Sequence, residues 1–415
     1  MHSSFSKSFS RGWILASLIG FVLLLSGCSK TSDPVTEVGQ EPPSENEISS
    51  ASSSSSDSNI PLPVNPEIAW SSCYQIYECG NIEVPLDYSD PDGAKTTIGL
   101  VRITASTSPS LGPILLNFGG PGASGTEMVY MYGSIWEWAF PEFDVIGFDP
   151  RGIGFSEQVH CPLDHDDDED WTVEDGEDTG DFFVEARDFA ASCVEMSGDL
   201  ALHVGTNNVA RDMNQIRIAL GEEKVTYLGY SYGTRIGAVY ASLFPEHVRA
   251  MVLDGAVAPS DQISAFSPVQ GLGFEKAWNR FAESCDNDTS CDLNEYGGAE
   301  EAFRIADELL KVSTLEVSGG RELTRSEFHF GTASALYSPY SWAELIDGFN
   351  EIITQADGTV HQELADQLAG RREDGTYDNS QSVSFLVSCA DDPLRPSDEE
   401  IALAMDAVAD QLPHF

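Results

Sequence analysis

Ser231 is the residue best placed to do covalent chemistry. It lies in Val225-Thr226-Tyr227-Leu228-Gly229-Tyr230-Ser231-Tyr232-Gly233-Thr234, an apolar run that ends in Gly-x-Ser-x-Gly. That is the sequence form of a nucleophile elbow, a sharp strand-to-helix turn that lifts a serine hydroxyl out of a sheet. Gly229 and Gly233 flank the serine because side chains there would collide with neighbouring backbone. The N-terminus of the helix that follows favours negative charge beside the hydroxyl. The five-residue pattern alone is a weak signal, and its surroundings strengthen it. A β-rich run precedes it, and Thr234 to Phe244 follows with Gly237, Ala238 and Ala241 on one close-packing face before Pro245 stops the helix. The expectation is a serine nucleophile at position 231.

Such a serine needs a sheet beneath it and loops around it. Cys73 to Leu86 reads as short strands about a small loop, and Thr96 to Thr104 as a further strand. Pro113 to Phe118 is a continuous apolar run, as expected of a strand buried on both faces. It ends in Gly119-Gly120-Pro121-Gly122-Ala123-Ser124-Gly125, whose glycines let backbone N–H groups approach a ligand closely. Phe143 to Asp149 is the next buried strand, followed by Pro150-Arg151-Gly152-Ile153-Gly154. Both loops follow strands, where open α/β sheets build sites, and each reads equally well as a structural turn. Phe182 to Met196 and Thr206 to Leu220 are expected helices, the second capped by Thr206, Asn207 or Asn208. His247 to Leu253 reads as a buried strand ending at Asp254-Gly255. After Pro259 helical periodicity dominates, over Phe266 to Ser284, Ala299 to Leu310, Ser341 to Ala356 and His361 to Ala369, until a strand-like run at Val383 to Val387. The predicted fold is α/β, a mostly parallel sheet with an inserted helical cap. Residues 61–258 form the core, 259–380 the cap and 381–415 the return towards the core, with no internal repeat.

The chain has 415 residues, 41% of them hydrophobic, which suffices for one large domain with an insertion. Its formal net charge of −47 repels nucleic acid and anionic membranes, so nucleic-acid partners are excluded. A high-salt habitat and simple solubility explain that charge equally well. Asp164 to Asp181, with Trp171 inside it, is an acidic stretch whose spacing fits no EF-hand loop, so it reads as a solvated loop rather than a calcium site. Lys7 and Arg11 precede an apolar stretch from Trp13 to Leu25, closed by Leu25-Ser26-Gly27-Cys28. Residues 1–27 therefore resemble a bacterial lipoprotein signal, which implies cleavage before Cys28 and a lipid on its sulfur; an ordinary signal peptide is the alternative. Ser29 resembles outer-membrane sorting. Residues 28–60, with the serine run Ser52 to Ser56, read as a disordered tether. Export agrees with the cysteines. Cys73 with Cys79, Cys161 with Cys193 and Cys285 with Cys291 read as local disulfides, and no histidine stands at zinc-like spacing from them. Cys389 has no evident partner. No metal and no cofactor is expected.

Together and in this order, the Gly-Gly-Pro-Gly loop, Asp149-Pro150-Arg151-Gly152-Ile153-Gly154, Gly229-Tyr230-Ser231-Tyr232-Gly233-Thr234 and Val252-Leu253-Asp254-Gly255 resemble the α/β-hydrolase aminopeptidases. These comprise the prolyl aminopeptidases and the exported bacterial tripeptidyl aminopeptidases. The exported branch is the nearer likeness, through Gly119–Gly125, Phe143–Gly152 and Cys389-Ala390-Asp391, and the similarity runs from about Cys73 onward. Phe118 stands where relatives carry His or Pro, which leaves the subfamily open. The resemblance implies a peptide substrate cleaved near its N-terminus, with Ser231 attacking the carbonyl. The N–H of Tyr232 and that of Gly120 would form the oxyanion hole, and an acyl-enzyme would be hydrolysed by water.

The family's acid and histidine follow the serine, on strand ends beyond the Cys-Ala-Asp segment. This sequence ends at Pro413-His414-Phe415, with no late Gly-x-x-Asp and no Gly-His ending. The expectation is that both groups, and the partner of Cys389, lie past residue 415 in a longer parent chain. His247, His329, His361 and His414 are poor substitutes for the base, and Asp254 is the internal candidate for the acid. Two rivals stand beside the peptidase: an esterase or lipase of the same fold, and a lipid-anchored binding protein that has lost catalysis. In each, the membrane is met only through Cys28.

Overall fold

Strands β1 (Ser71–Tyr74), β2 (Tyr77–Pro85), β3 (Lys95–Ile103), β4 (Pro113–Asn117), β5 (Asp144–Phe148), β6 (Val225–Tyr230) and β7 (Val248–Asp254) form one sheet. Its order is β1-β2-β3-β5-β4-β6-β7 in the computed structural model. The structure describes residues 67–414 apart from 75, 163–169, 171, 173–179, 260–262, 373, 393–395 and 410. The expected signal over residues 1–27, Cys28, the expected tether over 28–60 and almost all of the acidic stretch with Trp171 therefore lie outside the described residues.

The first strands pair antiparallel up to β3–β5, and β5, β4, β6 and β7 run parallel. From β4 the chain moves to β5 on one side and later to β6 on the other. The carboxyl ends of β4 and β6 thus lie side by side where the winding reverses, the place where such sheets open a crevice. Both Gly119 and Ser231 sit at that reversal.

Alternation along the strands divides the core between two faces. Leu115, Ile146 and Tyr227 face a cluster with Met213, Ile216 and Ile236. That layer is built by α3 (Gly180–Ser197), α4 (Thr206–Ala219) and α5 (Tyr232–Leu243). Ile114, Leu116, Val145 and Leu228 face the other way, onto Val129 of α1 (Gly125–Met131) and Trp136 of α2 (Gly133–Ala139). The cap is α6 (Ile263–Asn287), α7 (Ala299–Leu310), the short pair β8 (Leu315–Glu316) and β9 (Glu322–Leu323), α8 (Arg325–Leu336), α9 (Trp342–Gln355) and α10 (Thr359–Ala369). It has its own core around Trp278, Phe281, Phe303, Phe328 and Phe349. Helices α11 (Ser380–Asp391) and α12 (Asp398–Ala409) follow. The three expected disulfides form, Cys73–Cys79, Cys161–Cys193 and Cys285–Cys291.

Four expectations are corrected. Val383 to Val387 is not a strand but the middle of α11, whose residues Val383, Phe385, Leu386 and Val387 are buried against the sheet's helical layer. An apolar run buried on every side carries no period, so strand and buried helix look alike in it. β7 is not buried: it is the edge of the sheet among the described residues, and Val252 is 60% exposed. Thr206 is not the cap of α4 but its first helical residue; Gly205 holds the cap position and has no side chain to offer. Cys389 does not wait for a partner past residue 415: it is disulfide-bonded in this structure, and none of the described cysteines is free.

His414 is clamped into the cap. Its Nδ1 lies 3.0 Å from Glu275 Oε2, its Nε2 lies 3.1 Å from Glu300 Oε1, and its ring packs on Trp278. Burial by itself lowers the imidazole pKa, but hydrogen bonds and charge from Glu275 and Glu300 outweigh it and leave the pKa raised. A raised pKa contributes stability that is complete below the unfolded value and lost as pH rises through the folded one. His414→Gln is therefore expected to lower the melting temperature more at about pH 6 than at about pH 9, either side of an ordinary histidine pKa. Equal losses at both would show that the ring only fills space.

Candidate active site

The turn between β6 and α5 is strained in the way its sequence implies. Ser231 has φ 51° and ψ −125°, a backbone region that residues with a Cβ rarely adopt. Such a residue costs on the order of 1–3 kcal/mol and persists only where its surroundings enforce it. Here they do. Ser231 N–H donates to Asp254 O at 2.8 Å, and Ser231 O accepts from Thr234 N at 2.9 Å and Thr234 Oγ1 at 2.6 Å. The flanking glycines are required by contact. A Cβ on Gly229 would stand 2.6 Å from Gly233 O, and one on Gly233 would stand 2.6 Å from Asn117 Oδ1.

The Gly119–Gly125 loop at the end of β4 closes on this turn. A Cβ on Gly119 would be 2.9 Å from Ser231 Cβ and 3.1 Å from Tyr232 N, so the loop backbone rests against the serine. Gly119 N–H is committed to Asn117 Oδ1 at 3.0 Å. Among the described residues neither Gly120 N–H nor Tyr232 N–H has a protein acceptor. The two donors named from the sequence, one on the residue after the serine and one in the loop that rests against it, thus have unused hydrogens among the described residues.

Buried side chains hold this loop and its neighbours. Asp149, fully buried, accepts from Ser124 Oγ at 2.7 Å, Thr126 N at 2.9 Å, Thr126 Oγ1 at 2.6 Å and Phe155 N at 2.6 Å. It ties the start of α1, where the glycine loop ends, to the end of β5. Arg151 forms a two-pronged pair with Asp212 of α4, at 2.7 and 2.6 Å, and donates to Pro85 O, Leu86 O and His203 O. The Asp149–Gly154 loop, read as site or turn, is thus a structural tie.

Asp254 acts through its backbone: its carbonyl receives the Ser231 N–H, while its side chain is exposed on the edge strand. None of the described histidines is hydrogen-bonded to Ser231. His247 Nδ1 lies 3.0 Å from Glu223 O, and His329 Nε2 lies 3.0 Å from Asp307 Oδ1. His361 is buried in the cap against Gly348, and burial pushes its pKa down to about 3. His414 is held by the two glutamates described above. Among the described residues no group of three His, Cys, Asp or Glu side chains is placed to hold a metal ion. One polar residue was missed in the sequence: Asp391, whose carboxylate reaches Thr206 at the start of α4. Its place in Cys389-Ala390-Asp391 was the available signal.

The profile of the alpha/beta hydrolase fold family matches residues 112–294. Serine protease Hip1 of Mycobacterium tuberculosis is 37% identical over 330 residues, covering 76% of this chain and 63% of that protein. A tripeptidyl aminopeptidase of Streptomyces coelicolor is 31% identical over 353 residues, covering 81% of this chain and 61% of that protein. A Mycobacterium tuberculosis protein named carboxylesterase B is 33% identical over 423 residues, covering 96% of this chain and 78% of that protein. The chain therefore spans less than two thirds of the length of the first two of these relatives.

Proposed function

The chain belongs to the α/β-hydrolase family, and from that premise we propose that it is a serine peptidase that releases short peptides from the N-terminus of peptide substrates through an acyl-enzyme on Ser231. The observation that carries this reading is the strained turn at Ser231 with the Gly119–Gly125 loop resting against it, the N–H groups of Tyr232 and of Gly120 in that loop having no protein acceptor among the described residues. In the proposed reaction Ser231 Oγ forms a bond to the scissile carbonyl carbon and its proton leaves to a base. The carbonyl electron pair moves onto oxygen, where the two N–H groups stabilise it; a single such donor is worth roughly 10²–10³ in rate. Collapse expels the amine, which takes up a proton, and water then cleaves the acyl-enzyme by the same path reversed. The base is left unassigned, because none of the described histidines meets Ser231.

The relatives named serine protease and tripeptidyl aminopeptidase support the peptidase reading. The relative named carboxylesterase B favours an esterase as the second reading. A free substrate amino group separates the two. A tripeptidyl amide is expected to be turned over at least about ten times faster than its N-acetylated form, a difference of about 1.4 kcal/mol in transition-state binding. Equal turnover of both, with simple esters preferred, would establish the esterase instead.

Export with a lipid on Cys28 belongs to the same proposal, supported by the three disulfides and the short apolar segment before that cysteine. Cys28→Ala is expected to release the protein from the membrane fraction or leave it uncleaved. A variant that is matured and membrane-bound like the parent would rule the anchor out.

A further inference from the structure

We infer that Asp391 is a positioning residue for the oxyanion hole, acting through Thr206 and the side chain of Tyr232. The inference rests on the reading of Ser231 and Tyr232 N–H proposed above. It begins at the start of α4. Gly205 occupies the cap position there and can make no side-chain cap. The end of α11 fills the gap: Asp391 Oδ1 accepts from Thr206 N at 2.7 Å, and Asp391 Oδ2 accepts from Thr206 Oγ1. Glycine at 205 makes room for this, since a Cβ there would stand 3.0 Å from Asp391 Oδ1 and 3.2 Å from Ala390 Cβ. A carboxylate at a helix N-terminus is favoured both by the free N–H and by the helix dipole.

Capping alone would end the matter at α4, but the chain of contacts continues. Thr206 Oγ1 is also hydrogen-bonded to the hydroxyl of Tyr232. Arg235, one turn further along α5, brings its Nε to 3.7 Å from Asp391 Oδ2. The Asp391 side chain is only 5% exposed, and Tyr232 is 7% exposed. Tyr232 is the residue immediately after Ser231, and its backbone N–H is one of the two donors. A buried phenol held at its far end restrains where the residue that carries it can sit. The carboxylate at the end of α11 thus sets the direction of an N–H at the elbow through one threonine and one tyrosine ring. At the other end of α11, a Cβ on Gly122 would stand 2.3 Å from Ser380 O, so this helix also rests against the Gly119–Gly125 loop. α11 is also where the chain leaves the cap, which gives cap position a route to the geometry of the site.

The test separates positioning from capping, in the full-length protein with a tripeptidyl amide as substrate. Thr206→Val keeps the backbone N–H that Asp391 caps and removes the hydroxyl that links Asp391 Oδ2 to Tyr232. It is expected to lower kcat on the order of 10- to 100-fold, the scale of a small misplacement in an active site, with KM little changed. Thr206→Ser is expected to restore kcat. Tyr232→Phe should match Thr206→Val, and the double variant should lose no more than either single one, because all cut the same chain. Asp391→Asn is expected to fall in the same class, and the threonine variants decide the matter if it does not fold. Parental kcat in Thr206→Val and Tyr232→Phe, with only the melting temperature lowered, would reduce Asp391 to a helix cap. So would additive losses in the double variant. Ser231→Ala is the control. If turnover survives it, the hydrolase reading falls and this inference with it. If turnover depends on Ser231 and the other variants behave as the parent, this inference alone falls.

Discussion

In the full-length protein, Ser231→Ala is expected to remove fluorophosphonate labelling entirely and to lower peptide-amide hydrolysis by a factor on the order of 10⁶, the loss seen when the nucleophile of a serine hydrolase is deleted. The variant should remain folded, and the structure says why. Alanine keeps the Cβ and tolerates φ 51° no worse than serine does. The bonds that hold the turn are backbone bonds, from Ser231 N–H to Asp254 O and from Thr234 to Ser231 O. Among the described residues the hydroxyl itself has no protein partner, so its removal should change stability by no more than about 0.5 kcal/mol. Activity and stability therefore come apart at this position. Labelling that persists in the variant, or moves to another serine, would refute the assignment; loss of folding would mean that the hydroxyl holds the turn.

The parts of the fold legible in the sequence were those with one dominant physical signal. β4 and β5 are short apolar runs bounded by Gly and Asp, and they form the buried parallel centre as expected. α7 covers Ala299–Leu310 as the periodicity of its apolar residues implied. The elbow was legible because its glycines are demanded by backbone contacts that no other residue satisfies. What was missed lacked such a signal or had a competing one. α1 and α2 are each 7 residues long, too short for a helical period to declare itself. α8 carried a readable capping box, Thr324 with Glu327, that went unused. α11 misled because burial on all sides erased its period. β7 looked like an inner strand by composition, yet it is the sheet edge among the described residues, since composition reports what a strand prefers and not what lies beside it. At the site, the strained turn at Ser231 and the glycine loop that rests against it were legible from local motifs. Asp391 was not, because it reaches Thr206 across 185 positions of sequence.

The second large effect is expected at Asp212. Asp212→Ala should destabilise the protein by roughly 3–5 kcal/mol, because it leaves the Arg151 guanidinium buried and unpaired. The two side chains are 0% and 1% exposed, and Asp212 also accepts from Tyr88 Oη at 2.8 Å. Against a total stability of roughly 5–15 kcal/mol, that is a large share. A net benefit from the pair does not follow, since taking two charges out of water costs about as much as their attraction returns. In an isolated pair, replacing both partners by apolar groups would be close to neutral. Here it should not be, because Arg151 also donates to Pro85 O, Leu86 O and His203 O. Those carbonyls come from the end of β2 and from the approach to α4; His203 O keeps Asn208 Nδ2 as a donor at 3.0 Å, but removing the guanidinium takes a donor from Pro85 O and Leu86 O. Arg151→Met with Asp212→Leu is therefore expected to lose less than Asp212→Ala alone but to remain below the parent, by about 1–3 kcal/mol if one buried acceptor goes unmet. Denaturant midpoints at constant m-value give the ordering directly. A double variant equal to the parent would mean that the carbonyls are satisfied without Arg151. An Asp212→Ala variant within about 1 kcal/mol of the parent would mean that Arg151 finds another partner or water. In either case the Asp149–Gly154 loop would lose its role as the tie that seats α4, and with it the support beneath Thr206.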